Sequence, residues 1–575
     1  MKLFDKYKFV SLLACTLIFS SCDALLEENN VSGKYDDETI WNNAVLAEGV
    51  LLRAYTLMPG QYNFTDTYAT DDAVVNVLTN SAVTMATGGF TSRLYPLSTY
   101  DQCYTAFMHI NRFIENMDKV TWAWKAPDGT ERNELYKKKL KGEAYGLRAW
   151  WGARLLQYHG GMGANDVLLG YPIVTNTIND PAKAKLPRNT YAECVQQIFD
   201  DCDMAIANLP LKWTDTGLST MQKDVIGAKN INRISGITVM AIKSRVALLA
   251  ASPSFASGSG VTMQQAAQLA ANVMSANGGI SGLNVADIEF YKSVNVTPAN
   301  LNSYREALWY TSIVPAATNK IDGSNTLEND NFPPSLFGKG MLNPTQNLVD
   351  AFPDNAGVPI SSSTVYDPIN PYLNRDPRLQ KYIAYNGVTF GTTVLNTISG
   401  DDAISAKPTS TRTGYYLRKL LDESVKLNPG AIAGKAHTNV LVRYTEVLLN
   451  FAEAANEAVG PTGDVAGFTA RSVVNAIRNR AGITNTVYVD GLDKAGLATL
   501  IKNERRIELC FEGFRFWDIR RWGDINKMKE AANGIIPATL SSFEVEKRSY
   551  NDFMIYPPIP YNETLVYDIV QNKGW

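Results

Sequence analysis

The sequence predicts a mainly α-helical protein in which paired helices flank a long, loop-rich segment. Two observations predict it. Apolar residues recur three and four apart through most of residues 36–280 and 437–523, and that periodicity lapses between about Ser281 and His437, where Gly, Pro, Asn, Ser and Thr dominate. At 575 residues the chain exceeds what one simple core fills, so two cores or an extended repeat structure are expected.

At the start, Lys2, Lys6 and Lys8 precede an apolar run from Phe9 to Phe19, too short to span a bilayer. This is the charged start and short hydrophobic centre of an export signal, so residues 1–21 are expected to be a leader. Ser20 and Ser21 put small residues directly before Cys22, and the run resembles a bacterial lipobox in which that cysteine is acylated. Several acyl chains on one residue would anchor stably. Residues 22–35 would then be a tether, and Asp23, Glu27 and Glu28 resemble the signal that sends such lipoproteins to the outer face of the outer membrane. The rival reading is an ordinary cleaved secretory signal.

The helical region 36–280 opens with apolar residues at helical spacing from Asp36 to Tyr55, with Asp37 as a candidate cap. Gln61 to Tyr100, with Asp71-Asp72 and several tyrosines among Gly, Thr and Ser, reads as exposed loop. Tyr100 to Met117 reads as a second helix. Glu131 to Tyr158 is the longest clean one: Tyr136, Leu140, Ala144, Leu147, Trp151, Leu155 and Tyr158 are three or four apart, and Gly160-Gly161 ends it. The glycines there follow a helix instead of a strand, which argues against a phosphate loop. In Arg188 to Pro210, Thr190 and Glu193 form a capping box. Ile237 to Pro253 and Met263 to Asn277 make a further hairpin. Such pairing resembles tetratricopeptide packing, where units of about 34 residues lean on one another, with repeats too degenerate to detect by identity.

Residues 281–436 form the loop-rich segment, and structureless length of this kind is usually functional. Helices return in 437–575. Leu441, Tyr444, Leu448, Phe451 and Ala455 line one face of Val440 to Ala458, and Val473 to Ile483 follows. The densest stretch is Asn503 to Gly523, NERRIELCFEGFRFWDIRRWG. Ile507, Cys510, Phe511 and Phe514 follow the spacing of one helical face, and Glu504, Glu508 and Glu512 would share a stripe. Like charges four apart repel unless cations answer them. Arg505, Arg515 and Arg521, with Asp518, supply an alternating pattern, so these seven charged residues are expected to form a partly buried ion network. Paired carboxylates amid arginine form such networks more often than catalytic dyads.

This stretch resembles the C-terminal signature of the SusD/RagB family, surface lipoproteins that pair with TonB-dependent outer-membrane transporters; Cys510 is its mild departure. The resemblance extends in order through the AY ending of the first helix, Tyr100, Tyr104, Phe107 and Asn111 on the second, Arg375-Asp376-Pro377-Arg378-Leu379, the RYTEVLLNFAEA helix, and the closing PPIPYNETL and Gln571-Asn572. It implies a tetratricopeptide-like helical-repeat scaffold carrying an irregular ligand-binding subdomain. It also implies an oligosaccharide-binding protein, lipid-anchored through Cys22, that faces the cell exterior and hands its ligand to a SusC-like transporter. In the family the ligand surface comes from loops of the early and middle segments. The candidates here are therefore Tyr95, Tyr100, Tyr291, Trp309 and Tyr310 as stacking rings, with Asn80 and Arg93 as polar contributors. Trp309 and Tyr310 are neighbours that would alternate on a strand, which would bury one of the two. A RagB-like oligopeptide receptor and a helical-repeat adaptor that binds only proteins are the alternatives. Exposed aromatics on one face favour glycan; a cleft lined by amides and charges favours peptide.

Composition and motifs narrow the classes further. A net charge of −3 without a basic block argues against nucleic-acid binding. His109, His159 and His437 share no ligand spacing, the cysteines show no CxxC, and GxSxG, HExxH and P-loop motifs are absent, so no catalytic residues, cofactor or transition metal are expected. Asp71-Asp72 and Asp401-Asp402 read as solvated or capping acids. The run Glu328-Asn329-Asp330-Asn331 is the candidate for a structural calcium ion.

Overall fold

The computed structural model describes residues 36–122, 128–283, 305–317, 319–567 and 569–575. Cys22 and Tyr291 lie outside the described residues, as do the leader and the tether. Among the described residues ten helices reach eight residues or more. They are α1 (Ala44–Thr56), α2 (Tyr100–Asn116), α3 (Gly129–His159), α4 (Tyr191–Asn208), α5 (Gly236–Ala251), α6 (Met263–Ala276), α7 (Tyr444–Val459), α8 (Ala470–Arg480), α9 (Lys494–Glu508) and α10 (Arg515–Trp522). Each of α1 to α6 packs on the next, α6 packs on α7, and α7 on both α8 and α9. The stack is thus continuous in space where the chain departs from it between α6 and α7. No described helix is long and apolar enough to cross a membrane.

Local chemistry sets the helix ends. The Thr190 hydroxyl accepts from the Glu193 amide while the Glu193 carboxylate accepts from the Thr190 amide, which closes the capping box on α4. The first predicted helix is two. A short helix, Asp37–Trp41, is capped by Asp36 instead of Asp37, and Asn43 starts α1 by accepting from Val45 and Leu46. An asparagine side chain that can bind the backbone ahead of it favours a new cap over an uninterrupted helix.

The largest buried cluster runs along the stack, with Trp151, Phe113, Tyr191 and Phe451 inside it. A second lies in the segment predicted to be loops. Phe332, Phe352, Phe390, Tyr415 and Tyr416 pack there against Ile507 and Phe511, between short helices and two-stranded ladders. One ladder pairs β1 (Ala73–Val75) with β3 (Leu342–Pro344), and another pairs β2 (Ala307–Tyr310) with β4 (Val440–Arg443). These pairings join distant parts of the chain, which no local pattern announces. A third cluster gathers Phe90, Tyr95, Phe516, Trp517 and Tyr550.

The Asn503–Gly523 stretch is not one helix. α9 ends at Glu508, Phe511 and Gly513 take positive φ (65° and 80°), and α10 starts at Arg515. Cys510, Phe511 and Glu512 therefore sit on a turn, and the expected glutamate stripe is broken after Glu508. A Cβ on Gly513 would stand 3.0 Å from Asp66 Oδ2, so both the dihedral and the contact favour glycine there.

Candidate functional site

The charged residues of the signature lie inside. Glu504 and Glu508 at the end of α9 both meet Arg378 (2.5 and 2.9 Å), whose other side holds Asp376 at 2.7 Å. Arg443 and Arg480 also reach Glu508. Burial alone would raise the Glu508 pKa, but Arg480, Arg443 and Arg378 outweigh it and hold the carboxyl well below its usual range. Glu512 takes Lys419 at 2.7 Å and Arg443 at 3.1 Å. Arg505 and Arg521 clasp Asp518 at 3.1 and 2.8 Å. Arg515 and Arg506 reach back to Asp71 and Asp72. Asp71 and Asp72 are 1% and 0% exposed, which corrects the reading of this acid pair and its stretch as solvated loop. Five arginine-bearing segments converge, and only ion pairing makes such burial tolerable.

A cleft of about 520 Å³ opens above this network. Its walls are the loop after α1 (Leu57–Asp66), Pro96 to Gln102, one face of α3, α5 between Ile242 and Leu249, the β4–α7 junction and the signature turn. On α3, Trp150, Arg154, Gln157 and Tyr158 fall at helical spacing and turn together toward the cleft, while Trp151 and Leu155 on the next face enter the core. Tyr158 and Trp517 pack with centroids 4.2 Å apart. Gln61, Asn63, Gln102, Gln157 and Asn439 add amides, and Tyr62 and Phe514 add further rings. Asp66, in the floor, accepts from Trp517 Nε1 at 3.3 Å, and burial pushes its carboxyl up to about 6. Glu512, Arg505, Asp518 and Arg521 line the same cleft, so the ion network doubles as its base.

None of the six ring and polar candidates among the described residues lines it. Tyr95 and Tyr100 are 8% and 3% exposed and pack edge-on against His159, with ring centroids 5.8 and 5.3 Å away. Trp309 and Tyr310 are both buried, at 1% and 2%. Trp309 packs edge-on against Trp150 and donates to the Asn232 carbonyl at 3.0 Å. Alternation on β2 therefore exposes neither residue, because both faces of that short ladder are covered. Asn80 caps a short helix at Ala82, and Arg93 is exposed with its guanidinium 3.9 Å over Tyr561. Rings locked into packing cannot offer a face to a ligand. The cleft takes instead Pro96 to Thr99, between the two predicted tyrosines, and the Arg154 face of α3. An arginine and a glutamine beside an apolar stripe read as solvent-facing in sequence; only the packing of the signature turn over them makes a wall.

The calcium candidate is otherwise engaged. Glu328 accepts from the Asp422 amide at 2.9 Å and pairs with His437 at 3.0 Å, and Asp330 pairs with Lys339. Among the described residues no group of three or more His, Cys, Asp or Glu is placed to hold a metal ion.

Helical stack, irregular subdomain and signature turn define the class. A profile of the SusD family matches residues 305–575, and one described as "Starch-binding associating with outer membrane" matches residues 25–226. The chain belongs to the SusD/RagB family. A SusD-like protein of Formosa agariphila is 32% identical over 109 residues, a match spanning 19% of this chain and 19% of that relative's length. Two solved structures from Bacteroides fragilis NCTC 9343 share the fold. One, a SusD-like protein, has a TM-score of 0.73 at 22% identity, covering 94% of this chain and 99% of that one. The other, a SusD-like carbohydrate binding protein, has a TM-score of 0.68 at 21% identity, covering 92% and 99%.

Proposed function

We propose that this protein binds oligosaccharide at the cell surface, held at the outer membrane through an acylated Cys22, and passes it to a SusC-like TonB-dependent transporter. No chemistry on the ligand is proposed. The observation that carries the reading is the cleft. Its 520 Å³ suits a short run of sugar units, and it sets rings beside amides and charges, the two kinds of group that sugars need for their apolar faces and their hydroxyls. The carbohydrate binding named for a protein of the same fold supports this choice of ligand. Linkage to a transporter would concentrate a modestly bound ligand.

A second reading has its own support, because the amides and charges of the rim also suit the backbone of an extended peptide. Calorimetry of the purified protein against a panel of plant, host and microbial glycans and a peptide library decides between them. The expected result is binding to one glycan class, weakened about tenfold (~1.4 kcal/mol) by Phe514→Ala. Binding confined to peptides would overturn it.

A further inference from the structure

Five arginines line the cleft, and four of them hold carboxylates. Arg245 grips Glu446 through bonds of 2.5 and 2.6 Å, Arg443 reaches Glu512, Arg505 holds Asp518, and Arg521 bridges Asp518 and Glu453. The fifth is Arg154. Among the described residues no carboxylate oxygen lies within 4.0 Å of its guanidinium, and its Nε is buried without a hydrogen-bond acceptor. Ring faces hold it instead: the guanidinium carbon stands 4.9 Å from the centroid of Tyr158 and 5.9 Å from that of Trp150.

An arginine does not shed its proton in a protein, so Arg154 is a permanent, partly desolvated charge on the cleft wall. Its rigid fork matches a carboxylate better than a hydroxyl, which brings no charge to the pair. Three of the four lining carboxylates are neutralised by neighbouring cations and would not repel such a group. Glu446, Glu512 and Asp518 are already paired, which leaves Asp66 as the lining carboxylate without an ion pair among the described residues. Asp66 accepts from the Trp517 N–H, and burial raises its carboxyl to about 6 against the pull of Arg154, so below that pH it adds no charge to the cleft.

We propose that the cleft selects acidic glycans and that Arg154 takes the carboxylate of a uronate residue. This rests on the glycan reading above and adds the charge of the sugar.

The test is calorimetry with acidic oligosaccharides (oligogalacturonate, alginate fragments and glucuronate-bearing xylan fragments), each beside its carboxyl-reduced form, on the unmodified protein, Arg154→Gln and Arg154→Lys. The expected result is that one acidic oligomer binds at least tenfold more tightly than its reduced form. Arg154→Gln abolishes that preference and Arg154→Lys keeps part of it. Equal binding of the acidic and reduced forms would overturn the selectivity and leave glycan binding standing. A preference that survives Arg154→Gln would overturn the role of Arg154. Tight binding of a neutral glycan with no response to any acidic oligomer would overturn the inference alone, and no binding of any glycan would overturn both readings. The paired ligands decide the matter on the unmodified protein even if a variant fails to fold.

Discussion

Arg515 grips Asp71 through two parallel bonds of 2.9 Å, joining positions 444 apart in the chain. The arginine opens α10 and the aspartate stands just ahead of β1, so this fork ties the first third of the chain to the signature. Around it, Arg506 reaches both Asp71 and Asp72.

Breaking that fork strands a buried charge. Asp71→Ala leaves Arg515 and Arg506 short of a partner and is expected to cost about 3 to 5 kcal/mol. Chemical denaturation followed by tryptophan fluorescence reads the loss. A stability unchanged within ~0.5 kcal/mol would show that the pair is not what joins the two segments.

The buried Asp66 gives a pH signature of known sign. Its carboxyl is raised from 3.8 to about 6 in the folded state, so its effect on stability is absent below the unfolded value and becomes unfavourable as pH rises through about 6. Asp66→Asn keeps an acceptor for Trp517 and removes the charge. The variant is expected to be more stable than the parent at pH 7 by about 2 to 3 kcal/mol, and to match it near pH 4. Denaturation curves at the two pH values check this.

His437 runs the other way from most buried histidines. Burial lowers its pKa, but Glu328, with Asp422 nearby, outweighs burial and leaves it above 6.5. A raised histidine contributes fully below its unfolded pKa, and the contribution disappears as pH rises through the folded one. Melting temperature is expected to fall with pH above 6.5, and His437→Gln is expected to flatten that fall. Parallel slopes in parent and variant would count against the pairing.

Trp309→Ala is expected to cost about 3 to 5 kcal/mol, as for a large buried aromatic, because the ring fills space beside Trp150 and Tyr55. A normal melting temperature with glycan binding abolished would return Trp309 to the ligand surface.

Much of the fold was legible. The α3, α4 and α7 periodicities, the Thr190–Glu193 box and the ordered motifs pointed to the helical stack. The site was less so. Burial of Tyr95 and Tyr100 depends on the neighbourhood of His159 and on Phe90, Phe516 and Tyr550, which come from other parts of the chain. The cleft residue Arg154 carries no local mark, since its neighbours in the apolar stripe would be the same on any surface helix.

Sequence by itself determined which segments are helical, where several of them start, and which acids and arginines occur together in the signature. Those properties follow from side chains three and four apart along one backbone, and from caps that bind the amides beside them. The tertiary structure alone decided that Asp71 and Asp72 are buried under Arg506 and Arg515, that the signature breaks at Phe511 and Gly513, and that Arg154 faces a cleft with no carboxylate partner among the described residues. Each of these depends on segments hundreds of residues apart meeting in space, and the burial that sets their charge, exposure and chemistry exists only once they have met.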